Sequence, residues 1–114
     1  MKTAVIDVAR FLEAQAKLGA PITYSAVTKK FPDLGELGPH WKSHPLCGIF
    51  GELDDEDHRK QRPFRTALVV GKESGRPGQG FFETVSNLRN QTILQSERDT
   101  VWAKEFETLI AYYA

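Results

Sequence analysis

The chain has 114 residues, 15 Lys and Arg against 15 Asp and Glu, a formal net charge of 0, and 40% hydrophobic and 26% charged residues. That is the size of one small domain with its own core, and the composition argues against a disordered chain. The even charge balance gives no global field for nucleic acid or membrane, so any charged footprint must be local.

A single cysteine, Cys47, excludes an internal disulfide and suits a reducing compartment. No apolar run approaches the roughly 20 residues that span a bilayer. Asp7, Arg10 and Glu13 interrupt the apolar positions near the N-terminus, which argues against a signal peptide. The expectation is one soluble cytoplasmic domain over residues 1–114.

The first element is a helix over 3–18. Val5, Val8, Ala9, Leu12 and Ala16 recur at helical spacing, with Gly19 and Pro21 at its end. Ile22-Thr23-Tyr24 is an extended lead-in. Thr23 or Ser25 caps a short second helix, which Pro32 stops. Residues 32–44 are irregular, being broken by Gly35, Gly38 and Pro39. A third helix begins at Pro45, with Ser43 or His44 as its cap and Leu46, Ile49, Phe50 and Leu53 as its buried stripe.

Thr66 to Val70 is apolar and β-branched, Ser74-Gly75 supplies turn chemistry, and Phe81-Phe82 closes a glycine-punctuated return. These features predict a β-hairpin. Glu83 to Arg89 is a candidate short helix. Ser96 with Asp99 marks the start of a last helix, with Trp102, Phe106, Leu109, Ile110 and Tyr113 inward and Glu105 on its wet side. The fold class expected is α+β: a mostly helical, winged-helix-like domain with one β-hairpin and an added C-terminal helix.

The charged residues suggest two surfaces. Arg59, Lys60, Arg62, Arg65, Lys72 and Arg76 fall on or beside the predicted hairpin, and Trp41, Lys42 and His44 lie at the start of the third helix. Together these nine form a candidate nucleic-acid interface, with the hairpin and the helix start reaching phosphates or a groove. The alternative is a protein-interaction module, such as an inhibitor, immunity or antitoxin-like protein. It would use the acidic run Glu52, Asp54, Asp55, Glu56 and Asp57. The bland reading is that the adjoining acidic and basic runs neutralise each other on a solvated face. Trp41, in a Gly/Pro-bounded loop, is either an anchor of that loop or a binding contact.

No catalytic residue, cofactor or metal is nominated. His40, His44 and Cys47 are separated by four and three residues, but Pro39 and Pro45 interrupt the helix that would align them. The turn Gly71 to Gly80 lacks phosphate-loop spacing. The carboxylates of the acidic run are too consecutive to converge from one regular helix.

The order helix, short helix, helix, hairpin resembles a winged-helix domain over roughly residues 3–83, which implies DNA binding. Ile22-Thr23-Tyr24 followed by a short and a longer helix resembles the DNA-binding part of alkyltransferase-like proteins. The Pro-Cys-His-Arg motif of that family is missing, and Cys47 does not sit in one, so methyl transfer is not implied. The segment around the predicted hairpin also resembles one in small bacterial proteins, a likeness that implies no activity.

Overall fold

The computed structural model describes residues 3–114. Five helices are joined by 3₁₀ turns and one minimal sheet. They are α1 (Thr3–Leu18), α2 (Tyr24–Lys30), α3 (Pro45–Arg59), α4 (Gln79–Arg89) and α5 (Arg98–Tyr113). The sheet pairs β1 (Ile22–Thr23) in parallel with β2 (Val69–Val70), with Ile22 opposite Val69 and Thr23 opposite Val70. Among the described residues no helix is long and apolar enough to cross a membrane. The mostly helical α+β class stands.

The ends of the helices follow local chemistry. Thr23 caps α2, its hydroxyl accepting from Ala26 N at 3.1 Å. His44 caps α3, resolving the choice between it and Ser43. Its Nδ1 accepts from Leu46 N at 3.0 Å, so Nε2 carries the proton and donates to the Gly35 carbonyl at 3.0 Å. At α5 the start signal shifts: Leu94 N–H donates to the Glu97 carboxylate at 2.9 Å, and the helix begins at Arg98 without using Ser96 as its cap.

The expected hairpin is not formed. Val69 and Val70 find their partner in β1, far away in sequence. Arg65–Leu68 winds as a 3₁₀ turn. Phe81 and Phe82 belong to α4, where Phe81, Phe82, Val85 and Leu88 recur at helical spacing, and the first three of these are buried. Residues 71–78 form a closed loop. Gly71 N–H donates to the Arg76 carbonyl at 2.9 Å, and Gly75, at φ 68°, turns the chain back toward Gly71.

The centre of the molecule is the segment 63–70, in which every residue is buried. It packs against α1, α3 and α5, and α5 lies against α1. Val5, Val8, Leu12, Leu46, Leu53, Phe64, Leu68, Val69 and Leu109 build the core around it. A thread with only two strand residues must satisfy its backbone polar groups by other means. Phe64 N–H donates to Glu105 Oε2 at 2.9 Å, Arg65 N–H to Asp57 Oδ2 at 2.9 Å, and Trp102 Nε1 to the Ala67 carbonyl at 2.8 Å. Glu105, expected on the wet side of the last helix, is therefore buried. Arg89 grips its carboxylate with two hydrogen bonds, of 2.8 and 2.9 Å.

Candidate functional site

The basic and acidic runs meet each other. Arg65 is 2% exposed and bonds Asp57, Glu56 and Glu13. Arg62 bonds Glu56 at 2.6 Å and Asp57 at 3.1 Å. Burial works against ionisation of Glu56, but the hydrogen bonds from Arg62 and Arg65 outweigh it and hold the carboxyl below its usual range. Arg62 and Arg65 are thus committed to the fold. Arg76, in the 71–78 loop, pairs with Asp99 of α5.

Of the other nominated cations, Lys42, Arg59, Lys60 and Lys72 are exposed, while His44 is buried as the α3 cap. Lys42 lies before the start of the 15-residue α3 and the pair Arg59–Lys60 at its end, roughly 20 Å apart. The structure does not gather the nine residues into one stripe. The acidic run divides as well. Glu52 and Asp55 are exposed, Glu56 is half-buried, and Asp54 and Asp57 are interior.

A different site forms toward the N-terminal half of α3. Tyr24 from α2, Trp41 from the preceding 3₁₀ turn and Phe50 from α3 make an aromatic cluster. Ring centroids are 5.3 Å apart for Tyr24–Trp41, 5.8 Å for Trp41–Phe50 and 6.2 Å for Tyr24–Phe50. Trp41 also stacks parallel to the His44 ring, so the α3 cap helps to fix it. Tyr24 OH accepts from Gly78 N at 3.0 Å, which ties α2 to the loop before α4. Burial, the dominant cause, raises the Tyr24 phenol above its ordinary value.

Two cavities open beside this cluster. One, of about 390 Å³, is lined by Leu37, Gly38, Tyr24, Trp41 and Gly78 to Gly80. The other, of about 240 Å³, shares Tyr24, Trp41 and Gly80 and continues to Phe50, Asp54, Thr66 and Phe81. Cys47, Gly51 and Asp54 line this second cavity from one face of α3, at i, i+4 and i+7. Gly78 and Gly80 border the mouth at the edge of α4, and a Cβ on Gly80 would come no closer than 4.0 Å to Trp41 Nε1.

Asp54 is the unusual group there. It is 4% exposed, and Thr66 Oγ1 donates to its Oδ1 at 2.6 Å. Its Oδ2 accepts no hydrogen bond from the described residues. Asp54 lines the second cavity. Burial is the main cause that lifts the Asp54 carboxyl to about 7; Asp57 and Asp55 add to the rise, while the Thr66 bond and Arg65 oppose it.

Sequence reasoning nominated Trp41 and Lys42, which do border the cavity, and Asp54, but as part of an exposed acidic face. It placed Phe50 on the buried stripe of the third helix and missed the glycine mouth. Spacing carries a signal for Asp54: it follows Phe50 by four residues and so continues the inward stripe. Among the described residues no three His, Cys, Asp or Glu side chains gather to hold a metal ion. Compared with protein-family models, curated proteins and solved structures, the chain has no match.

Proposed function

We propose that this chain is a non-catalytic binding module that receives a side-chain-sized group of a partner molecule in the cleft formed by Tyr24, Trp41 and Phe50. The observation that supports this reading is the half-buried aromatic cluster flanked by two open cavities with a glycine mouth. Aromatic walls with few, well-placed polar groups are the usual make-up of a recognition pocket. At about 240 Å³ the inner cavity is smaller than ordinary cofactor sites and suits one side chain. Nucleic-acid contact receives less support, because Arg62 and Arg65 are spent on carboxylates and the free cations lie apart.

Gly80→Met tests the cleft without removing any packing. The new side chain enters open space, and replacing a helical glycine favours the fold by up to about 1 kcal/mol. The ¹H–¹⁵N spectrum of the wild type is expected to shift at Tyr24, Trp41, Gly78 and Gly80 with a mixture of amino-acid side-chain analogues. Gly80→Met should lose those shifts while staying as stable as the wild type. Shifts scattered over the surface, or retained in the variant, would contradict the cleft as the binding site.

A further inference from the structure

The interior around Asp54 is short of positive charge. Four carboxylates, Glu13, Asp54, Glu56 and Asp57, face two guanidiniums, Arg62 and Arg65. Arg65 hydrogen-bonds the other three acids and not Asp54. Among the described residues Asp54 therefore lacks a cation of its own, and it lines a cavity walled by Tyr24, Trp41, Phe50 and Phe81. A buried carboxylate without a counter-ion costs stability unless something pairs with it. Aromatic faces attract ammonium groups and tolerate the apolar chain that carries them.

We propose that this cavity takes a lysine-like ammonium group, its alkyl chain lying against the aromatic wall and its nitrogen donating to Asp54 Oδ2. The inference rests on the cleft being the binding site and adds the chemistry of its ligand. Lys42 and Glu83, one of each sign, border the same cavity, so the rim does not oppose a cation on balance.

The complex needs ionised Asp54. The charged groups that act on it are Asp55 and Asp57 on α3 and Arg65 on the 3₁₀ turn; Cys47 on the same face of α3, and Tyr24, Lys42 and Glu83 from other elements, line the same cavity. With the carboxyl at about 7, affinity for an ammonium rises about tenfold between pH 6 and pH 8.

The test uses Nα-acetyl-lysine methylamide and its uncharged counterpart, Nα-acetyl-norleucine methylamide, followed by the Trp41 indole and Gly80 amide signals. At pH 8 the lysine probe is expected to bind at least about tenfold more tightly than the norleucine probe. Asp54→Asn keeps the Thr66 hydrogen bond and removes the charge, and it should erase that preference. Equal affinity for the two probes, or a preference that survives in Asp54→Asn, would overturn the ammonium inference and leave the cleft standing. If neither probe moves a cleft signal, the ammonium inference falls, and the Gly80→Met comparison with the analogue mixture then decides whether the cleft falls with it.

Discussion

Arg65→Met is expected to destabilise the protein by about 3–5 kcal/mol, because it leaves Asp57 buried with much of its compensation gone. Asp57 is fully buried, at 0% exposed, and accepts from both the backbone and the side chain of Arg65. Against a typical total of about 5–15 kcal/mol, this loss brings the fold close to its limit. Urea unfolding measures it. Adding Asp57→Asn to Arg65→Met should recover part of the loss, since the stranded charge is then removed. A loss below about 1 kcal/mol would mean that Arg65 is a surface cation after all. In that case the variant would fold normally, and a weakened affinity for duplex DNA would return the argument to phosphate binding.

Asp54→Asn is expected to act in the opposite direction. The folded-state carboxyl titrates at about 7, and in the unfolded chain it titrates at about 3.9. Between these values the native state holds a proton that the unfolded state has released, so stability falls as pH rises. The contribution of the protonated acid is complete below about pH 4 and is lost as pH climbs through 7. Three units correspond to about 4 kcal/mol, an upper bound because Asp54 lines an open cavity. Asn carries no charge to desolvate. The variant should therefore match the wild type near pH 4 and exceed it at pH 8 by about 2–4 kcal/mol, or on the order of 10 °C in Tm. Thermal melts across this range check the prediction. A difference that does not change with pH would show that Asp54 is not the titrating group. A residue that weakens the fold while facing an open cavity is the pattern expected of a binding site.

The helices were legible because their signals are local. Val5 to Ala16, Leu46 to Leu53 and Trp102 to Tyr113 carry continuous stripes, and Pro45 and Gly19 punctuate them. The parallel contact between β1 and β2 was not legible. It joins two residues to two others 47 positions away, and no local pattern encodes such a pairing. Gly75 and Pro77 would turn a hairpin or lead into a helix equally well, and the spacing of Phe81, Phe82, Val85 and Leu88 decided for the helix.

The candidate site was only partly legible. The acidic run looked like a solvated face because five of its six positions carry charge. The phase of the stripe put Asp54 and Asp57 inside, just as it put Glu105 inside between Trp102 and Leu109. A charged residue in an inward phase has to be answered by a partner, and Asp57 and Glu105 have theirs in Arg65 and Arg89. Asp54 has only the Thr66 hydroxyl. That difference appears only once the chain is folded.

The most direct test is the ¹³C titration of the Asp54 side-chain carboxyl, with and without saturating Nα-acetyl-lysine methylamide. A free-protein midpoint near 7 that drops by about one unit or more when the ammonium binds is the predicted result. A midpoint near 4 in the free protein, or one that the ammonium leaves unmoved, would contradict the view that this aspartate waits in the cleft for a cation.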